Sequence, residues 1–350
     1  MLVPESTVLN TPRDPAARRP HTLLAMGREP HAQLLAEGAL DRLPHVAVVD
    51  TAQCVSDFGA VDDAVLGTAE VLFTHWGAPR LTAEALDRMP RLRAVVHAAG
   101  SVKHHVTEAV WERGIAVSTA AAANALPVAE FTLAAILFAN KRVLDSARHY
   151  RDVRDRTPVL RRLAGHGNYR RTVGIVGASR IGRRVLELLR PLDLDVLLYD
   201  PYLDGAGAAG LGAELVGLDE LVRRSHVVSI HAPQLTETQH MFDARRLALL
   251  RDGATLVNTA RGSLVDTDAL TEELVTGRIH AVLDVTEPEV LPAGSPLYGL
   301  PNVLLTPHIA GSLGNELGRM ANCAIDEVER YAKGLPFAHG VGADELSRSA

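Results

Sequence analysis

The 350-residue sequence has too little cysteine and too little basic charge for several classes of protein. Its two cysteines, Cys54 and Cys323, are far apart and have no Cys or His neighbours at the spacings of zinc sites, which argues against a disulfide framework or a structural metal. Lys and Arg number 36 against 42 Asp and Glu, so the net charge of -6 supplies no basic field for a phosphate backbone. We expect a cytoplasmic protein with no bound metal and no nucleic-acid partner.

Long hydrophobic runs are also scarce. The longest strongly apolar stretch is 131–139, well short of the roughly 20 residues that a membrane span needs. Near the N-terminus the Arg18-Arg19 pair precedes only a brief apolar segment, 22–27, so no signal peptide is predicted. We expect residues 1–20 to be a disordered tail and the protein to have no membrane partner.

What the sequence does contain is an alternation of short Val-, Leu- and Ile-rich runs with amphipathic segments, the pattern of buried parallel strands joined by helices. A helix from 124 to about 150 is predicted to bridge two domains, and a final helix from about 314 to 333 is predicted to return to the first. The length suits two cores of ordinary size. Strands are predicted at 22–26, 45–49, 70–74, 93–98 and 115–118 in the first half, and at 172–176, 195–199, 226–230, 254–258, 279–284 and 303–305 in the second.

A candidate phosphate-binding loop lies at 173–182 (Val-Gly-Ile-Val-Gly-Ala-Ser-Arg-Ile-Gly), where a strand turns into a helix beginning near Arg180. Gly177 permits the tight turn, Gly182 allows the helix to pack closely on the strand, and the helix N-terminus directs unpaired amides toward a pyrophosphate. Ser179 stands where the middle glycine of the usual pattern would be. Its Cβ obstructs close backbone approach, but its hydroxyl could donate a hydrogen bond to the phosphate.

The next predicted strand ends in Asp200, 18 residues after Gly182, about where an acidic group meets the ribose hydroxyls of a dinucleotide. Alternatively, Asp200 only caps a turn before Pro201. The ordered strand, glycines, helix, strand and acid favour a dinucleotide site over a plain strand-turn-helix. The absence of a basic residue from 201–204 favours NAD over NADP.

Three further segments place polar residues at the carboxyl ends of predicted strands: 258–263 (Asn-Thr-Ala-Arg-Gly-Ser), 284–289 (Asp-Val-Thr-Glu-Pro-Glu) and 306–311 (Thr-Pro-His-Ile-Ala-Gly). Ligands of open α/β sheets bind at this edge. An Arg offers a planar fork for a carboxylate, a His is a natural proton donor near neutral pH, and a Glu beside the His favours its charged form. These groups suit reduction of a 2-oxo acid, although each residue alone has a structural explanation as a salt-bridge partner, a solvated loop acid or a strand-end histidine.

With these motifs, residues 70–335 resemble the D-isomer-specific 2-hydroxyacid dehydrogenase family. The most specific segments are 173–182, 199–201, 258–262, 284–289 and 306–311. The resemblance implies an α/β protein with two Rossmann-like, doubly wound parallel-sheet domains. A discontinuous, flavodoxin-like substrate domain would comprise 1–123 and 312–350, a central NAD-binding domain would comprise 124–311, and the helix from 124 would support a homodimer.

The resemblance also implies roles for individual residues. Arg261 would bind the substrate carboxylate, His308 would exchange the proton, and Glu289 would pair with His308. Glu289 is preferred over Glu287 because the catalytic acid of the family falls five residues after the strand-end Asp, here Asp284, which would accept a hydrogen bond from the nicotinamide carboxamide. The full set of implied NAD contacts is Gly177, Ser179, Arg180, Ile181, Gly182, Asp200, Thr259, Ala260, Arg261, Asp284, His308, Ile309, Ala310 and Gly311.

Two other histidines, His231 and His240, are predicted to have structural roles, His231 beside the cofactor and His240 as a cap or packing residue.

The chain departs from the family pattern at 98–105 (Ala-Ala-Gly-Ser-Val-Lys-His-His), where an Asp-Asn pair usually follows a Gly-rich loop. Gly100, Ser101 and Val102 would present backbone amides to a substrate carboxylate. Lys103, His104 and His105 would then line the mouth of the cleft and favour a substrate with a second anionic group. The alternative is that these three residues begin the next helix and point to solvent.

The sequence therefore predicts an NAD-dependent oxidoreductase that interconverts a 2-oxo acid and a D-2-hydroxy acid in a cleft between two domains. One alternative is an NAD(H)-sensing binding protein, like the corepressors that share this architecture. Another is a phosphite or formate dehydrogenase on the same fold. Glu289 counts against the formate alternative because formate enzymes have Gln at the acid position.

Overall fold

Residues 18–344 are described by the computed structural model and divide into two units. Unit 1 contains 18–124 and 312–344, and unit 2 contains 125–311. Most of the predicted disordered tail, 1–17, lies outside the described residues. At its end, Arg18 forms an ion pair with Glu70 and lies over the ring of Tyr331, which anchors this part of the segment to unit 1.

Twelve strands and fourteen α-helices are present in the described part of the chain. The strands are β1 (Thr22–Ala25), β2 (Val71–Thr74), β3 (Ala94–His97), β4 (Ala116–Thr119), β5 (Arg171–Val176), β6 (Leu194–Tyr199), β7 (Glu214–Leu215), β8 (Val227–Ile230), β9 (Thr255–Asn258), β10 (His280–Leu283), β11 (Val303–Leu305) and β12 (Gly340–Val341). The helices are α1 (Arg28–Ala36), α2 (Leu43–Val46), α3 (Asp63–Leu66), α4 (Ala83–Asp87), α5 (Glu108–Glu112), α6 (Ala121–Asn140), α7 (Val143–Val153), α8 (Arg156–Arg162), α9 (Arg180–Leu189), α10 (Gly205–Gly210), α11 (Leu218–Arg224), α12 (Ala244–Leu247), α13 (Thr267–Val275) and α14 (Leu317–Ala332).

Unit 1 is built on a five-stranded sheet in the order β1-β2-β3-β4-β12, in which β12 is antiparallel to β4 and the other pairs are parallel. The predicted strand at 45–49 is wrong. Residues 43–46 form α2 with Pro44 in its first turn, a position that suits the fixed φ of proline. Beside β1 only two isolated bridges remain, at Val48 and Val55, where the second strand of a flavodoxin-like order would lie.

Unit 2 is built on a seven-stranded parallel sheet in the order β11-β10-β9-β8-β5-β6-β7. The strand order reverses between β5 and β8, which creates the switch point where ligands bind in doubly wound folds. This topology confirms the predicted α/β fold and all six predicted strands of this half. The sequence did not predict β7, whose two residues are too few to form a recognisable pattern.

Each sheet is covered on both faces. In unit 2, Val228, Ile230 and Leu256 point into one core, and their neighbours Val227 and Val257 point into the core on the other face. This two-sided burial explains why the strands are almost continuously apolar. In unit 1, the final helix α14 packs on β3 and β4.

The single long helix predicted from 124 to about 150 is wrong. The chain forms α6, which already begins at Ala121, and a separate helix α7. Between them Arg142 adopts a left-handed backbone conformation (φ 53°), and its guanidinium donates a hydrogen bond to the carbonyl of Gly253. Because this contact joins distant parts of the chain, the local hydrophobic pattern cannot predict it.

Helix α6 has 20 residues and is long and apolar enough to cross a membrane by length and composition alone, contrary to the expectation from the sequence. The alanines that precede 131–139 extend the apolar segment. However, Ala129, Ala135 and Ile136 are buried in a core of unit 2 with residues of β5, and the hydroxyl of Thr132 lies 3.0 Å from that of Thr259. These contacts identify α6 as a core helix of unit 2.

Candidate active site

The phosphate-binding loop follows β5 at the switch point of unit 2. Gly177 has a φ of +97°, and a Cβ at this position would lie 2.9 Å from the backbone nitrogen of Ala232. A Cβ on Gly182 would lie 2.0 Å from the carbonyl oxygen of Gly177. Both positions therefore require glycine, the first for conformation and space and the second for close packing.

Ser179 is the N-cap of α9, and its Oγ accepts a hydrogen bond from the amide of Gly182 at 3.3 Å. A hydroxyl that accepts can still donate, so the cap leaves Ser179 able to donate to a phosphate. The amides of Arg180 and Ile181 open the first turn of this ten-residue helix, where backbone N–H groups attract anions.

Asp200 lies directly after β6 and accepts hydrogen bonds from the phosphate-binding loop and from its own turn. Its Oδ2 accepts a hydrogen bond from the amide of Ala178 at 2.7 Å, and its Oδ1 accepts one from the amide of Tyr202 at 2.9 Å. Asp200 thus caps a turn and braces the phosphate-binding loop. Each carboxylate oxygen retains lone-pair capacity for a ribose hydroxyl.

Asp284 is a buried carboxylate at the end of β10 and organises the segment 306–311. Its Oδ1 accepts hydrogen bonds from the hydroxyl of Thr306 at 2.7 Å and the amide of Ile309 at 2.8 Å, and its Oδ2 accepts one from the amide of Ala310 at 2.9 Å. Three donors compensate the desolvation of this charge. The contacts show Asp284 as an anchor of the loop that carries His308.

His308 and Glu289 form a short hydrogen-bonded pair. Nδ1 of His308 lies 2.6 Å from Oε1 of Glu289, and both side chains are about half exposed. With Nδ1–H donating to the carboxylate, Nε2 is the ring atom that can exchange a proton with a ligand. The backbone of His308 is left-handed (φ 56°) and its amide donates to the carbonyl of Asp284. A non-glycine residue in this conformation is uncommon and is concentrated at functional sites.

Arg261 lies in the segment after β9. Burial lowers the pKa of Arg261, and the charge of Glu289 partly opposes that shift, so the two side chains lie within range of each other's charge. The side chain of Asn258 holds the loop by donating to the carbonyl of Arg261 at 2.8 Å and accepting from the amide of Ala260 at 3.1 Å. Arg261, Glu289 and His308 therefore form one group, in which Glu289 contacts His308 directly and acts on Arg261 through its charge.

Glu287 belongs to a different pair. Its Oε2 lies 3.1 Å from Nε2 of His240 and accepts a hydrogen bond from Gln239 at 3.3 Å. His231 is buried beneath the loop after β8, where its Nε2 lies 2.9 Å from the hydroxyl of Ser229 and burial lowers its pKa to about 3. His231 is therefore neutral at physiological pH.

Comparison with known families identifies the chain. Residues 133–310 match the family model described as "D-isomer specific 2-hydroxyacid dehydrogenase, NAD binding domain". The chain belongs to the D-isomer-specific 2-hydroxyacid dehydrogenase family. The matched segment contains the phosphate-binding loop, Asp200 and the group formed by Arg261, Glu289 and His308, and NAD is the cofactor of this domain.

Two enzymes with sequence similarity carry different names within this family. D-3-phosphoglycerate dehydrogenase of Mycobacterium tuberculosis is 34% identical over 286 residues, which are 80% of this chain and 52% of the relative. Glyoxylate reductase of Korarchaeum cryptofilum is 34% identical over 259 residues, 73% of this chain and 77% of the relative. This chain thus spans only about half the length of the phosphoglycerate dehydrogenases that it matches.

One solved structure relates the fold to a bound cofactor. The D-lactate dehydrogenase of Aquifex aeolicus, crystallised with NAD and lactic acid, has a TM-score of 0.67 and 28% identity to this chain. The match covers 89% of this chain and 95% of that structure. In the present chain, the glycines that allow close backbone packing, the α9 N-terminus and the available oxygens of Asp200 fit a dinucleotide.

The loop at 98–105 lies in unit 1, and one expectation about it is wrong. His105 is neither at the surface nor at the start of a helix, because it is buried and α5 starts only at Glu108. The His105 side chain is buried, its Nε2 lies 3.3 Å from the hydroxyl of Thr74, and its ring centroid lies 4.7 Å from that of His97. Burial lowers the pKa of His105 to about 4, so it carries no positive charge at physiological pH.

The other residues of this loop are divided between surface and core. Lys103 and His104 are exposed, Gly100 and Ser101 are partly exposed, and Val102 is buried. The buried positions Val102, His105 and Val106 follow a helical spacing, a signal that the sequence did contain.

Sequence reasoning missed His75, which follows β2 directly at the carboxyl edge of the sheet of unit 1. His75 is 1% exposed, and burial lowers its pKa to about 4. Its place directly after a predicted apolar strand was the available signal.

Proposed function

We propose that this protein is an NAD-dependent oxidoreductase that interconverts a 2-oxo acid and a D-2-hydroxy acid. The contact that carries the proposal is the 2.6 Å pair between Nδ1 of His308 and Oε1 of Glu289, in the same unit as the NAD-binding loop. A histidine oriented by a carboxylate is a general acid-base device.

Each side chain of the group has a separate task. Arg261 binds the carboxylate of the substrate with its guanidinium fork and holds the acid in one orientation. His308 donates the proton from Nε2 to the C2 oxygen during reduction and accepts it during oxidation. Glu289 keeps the Nδ1–H tautomer and stabilises the charged imidazolium. The chemistry that NAD supplies when bound is transfer of a hydride to or from C2.

The deciding experiment measures NADH oxidation by the purified protein across a panel of 2-oxo acids. We expect saturable turnover with at least one acid. Saturable NADH binding without turnover over the whole panel would contradict the proposal and support the NAD(H)-sensing alternative. The comparisons favour neither that alternative nor the phosphite or formate reaction.

We further propose that unit 1 is the substrate-binding domain. Gly100 and Ser101 are partly exposed at the carboxyl edge of its sheet, and we assign their amides to the carboxylate of the substrate. Replacing Ser101 with Pro, which removes one amide, is expected to raise KM for the 2-oxo acid more than KM for NADH. Equal effects on both constants would argue against this assignment.

A homodimer is the assembly that we propose, with α7 at its interface. Helix α7 has no buried residue in the described chain, although Leu144, Tyr150 and Val153 are large and hydrophobic. An apolar groove that includes Phe131 and Phe138 of α6 adjoins it. A second copy would cover these side chains. Light scattering should give a dimer for the wild type, and Leu144→Glu with Tyr150→Glu should give a monomer.

We also assign the protein to the cytoplasm, where Cys54 and Cys323 would remain reduced.

A further inference from the structure

Six basic side chains converge on the amino-terminal edge of the sheet of unit 2, the edge opposite the candidate active site. They come from segments that are distant in sequence. Each residue lies just before, or at the start of, one of the neighbouring strands β5, β8, β9 and β10 or helix α7. Because β5 has six residues at about 3.3 Å each, this edge is about 20 Å from the phosphate-binding loop along that strand. We call these residues the basic cluster: Arg142, His166, Arg171, His226, Arg251 and His280.

The positive charge of the cluster is only partly compensated. Burial lowers the pKa of Arg171, and the charges of Arg142 and Arg251 lower it further. Asp145 is the one carboxylate that shifts the pKa values of these groups, and it is already shared, with Nδ1 of His280 at 3.3 Å and Arg142 at 3.9 Å. Of the three guanidinium groups in the cluster, Arg142 is the one that pairs with this acid.

Both ring nitrogens of His226 face hydrogen-bond donors, and neither faces an acceptor within the described residues. Its Nδ1 lies 3.1 Å from the amide nitrogen of Thr172, and its Nε2 lies 3.0 Å from a guanidinium nitrogen of Arg251. Both neighbours are donors, but a neutral imidazole can accept at only one nitrogen and carries a proton on the other. Burial lowers the pKa of His226 to about 4, so the ring is neutral at physiological pH. One of its two contacts is therefore a donor facing a donor.

Two more buried polar groups near this edge have no partner among the described residues. Nε of Arg171 is buried and unpaired, while the terminal nitrogens of the same guanidinium make only long contacts, 3.3 Å to Gly165 and 3.4 Å to His166. Asn140 is 1% exposed, and neither the nitrogen nor the oxygen of its side-chain amide has a hydrogen-bond partner. The backbone carbonyl of Asn140 accepts a hydrogen bond from the amide of Gly167, which is next to His166. Unpaired buried donors cost about 1–3 kcal/mol each and call for an explanation.

We propose that the basic cluster binds a phosphate-type oxyanion held by Arg171, His226 and Arg251. An oxyanion beside Nε2 of His226 would accept from that N–H and from Arg251 together, which resolves the conflict between donors, and would also accept from Nε of Arg171. Donors from three separate segments match a tetrahedral anion with several oxygens better than a planar carboxylate, which one guanidinium fork can satisfy. The proposal does not depend on the proposed dehydrogenase activity.

A metal does not account for the cluster. Within 18–344 no group of three or more His, Cys, Asp and Glu side chains is arranged to hold a metal ion. Two sources share the proposed chemistry, free phosphate and the phosphoryl group of a small metabolite. The test must separate them.

The experiment is calorimetric titration of the full-length protein with inorganic phosphate at constant ionic strength. NADH is kept saturating so that the cofactor occupies its own phosphate-binding loop. We expect a dissociation constant of about 1 mM or lower. Arg251→Gln and Arg171→Gln should each weaken binding at least about tenfold. The matched control is Arg245→Gln, because Arg245 is exposed and already paired with Asp219, and it should bind as the wild type does.

A second readout locates the anion and does not require catalysis. In NMR spectra, the ring signals of His226 should shift on titration with phosphate in the wild type and in Arg245→Gln. Thermal melts without phosphate show whether Arg171→Gln and Arg251→Gln remain folded, and the more exposed Arg251 provides the safer variant.

The comparison of anions decides the source. Glycerol 3-phosphate binding at least about tenfold more tightly than phosphate would support a phosphorylated metabolite, and equal binding would support free phosphate. Succinate binding as tightly as phosphate would overturn the assignment to a tetrahedral oxyanion. No binding beyond that of chloride, or an equal loss in Arg245→Gln, would overturn the site itself.

Discussion

The carboxylate of Glu289 lies 2.6 Å from Nδ1 of His308. The nearby Glu287 contacts His240 instead, so two His–Glu pairs occur in the same unit. Both histidines have left-handed backbones, but the carboxylate partner of His308 also acts through its charge on a partly buried arginine, Arg261. This difference gives the first prediction its matched control.

Replacing His308 with Gln should reduce turnover by about 10²–10⁴-fold, because general acid catalysis contributes that much to rate, while NADH affinity should change little. His240→Gln removes the histidine of the other pair and should retain most of the activity. Steady-state kinetics and NADH fluorescence titrations measure the two effects. Comparable losses of turnover in both variants would remove the special role assigned to His308.

Glu289→Gln should move the alkaline decline of 2-oxo acid reduction to lower pH. A carboxylate in contact with an imidazole favours the protonated, proton-donating form of the ring, so a variant without this carboxylate is expected to lose the donor form at lower pH. The measurement is the pH profile of kcat/KM for wild type, Glu289→Gln and Glu287→Gln. The Glu287 variant should follow the wild type, and an unchanged profile for Glu289→Gln would show that Glu289 is not the functional partner.

The wild type should prefer NADH to NADPH by about tenfold or more. The carboxylate of Asp200 can hydrogen-bond a ribose hydroxyl but would repel a 2′-phosphate, at a cost of about 1–3 kcal/mol. Asp200→Asn should narrow this preference, whereas Asp204→Asn, at the N-cap of α10, should not. Kinetics with both cofactors check the ratio, and similar efficiencies in the wild type would refute the assigned role of Asp200.

The sequence predicted most strands because they are buried on both faces, which makes their apolar runs nearly continuous. It failed where a contact between distant segments decides the outcome. The hydrogen bond from Arg142 to Gly253 accompanies the break between α6 and α7. The apolar run at 45–49 does not form a strand, because α2 ends within it and isolated bridges form at Val48 and Val55.

The candidate site was foreseeable to the extent that its residues follow strands. Three polar segments at the carboxyl ends of β9, β10 and β11 pointed to Arg261, Glu289 and His308. Burial of His105 against Thr74 depends on tertiary packing. The basic cluster has no local motif, because its members precede or begin strands and a helix that are far apart in the chain.

Acid should destabilise unit 1 through its buried histidines. The pKa of His75 and of His105 is lowered to about 4 and that of His97 falls well below its usual value, because burial disfavours the charged form. The unfolded chain therefore binds protons first as the pH falls below about 6.5. Each such histidine lowers the free energy of unfolding by up to about 1.4 kcal/mol per pH unit between about pH 6.5 and 4.

Urea unfolding at several pH values tests this mechanism. His105→Gln should reduce the slope of unfolding free energy against pH by up to about 1 kcal/mol per unit. His104→Gln should reduce the slope much less, because the charge of this exposed neighbour only adds to the larger effect of burial on the pKa of His105. If His105→Gln retained the wild-type slope, the acid sensitivity would have to arise elsewhere.

Recognition of a second anionic group on the substrate now depends on fewer residues than the sequence indicated. His105 is buried and uncharged, which leaves Lys103 and His104 as the exposed basic residues of the loop at 98–105. If Lys103 attracts the distal end of the substrate, oxaloacetate, 2-oxoglutarate and phosphohydroxypyruvate should have higher kcat/KM than pyruvate and 2-oxobutyrate.

Lys103→Ala should lower kcat/KM for the dianionic acids about tenfold, the effect of losing one charge-assisted contact of about 1.4 kcal/mol, and should leave the monoanionic acids nearly unchanged. Lys333→Ala, which removes a lysine that pairs with Glu329, is the matched control and should preserve the ranking. High salt should reduce the advantage of the dianionic acids in the wild type because an exposed charge is screened. A wild type that prefers neutral-tailed acids, or a Lys103→Ala variant with the same ranking, would contradict anionic-tail recognition while leaving the proposed oxidoreductase chemistry intact.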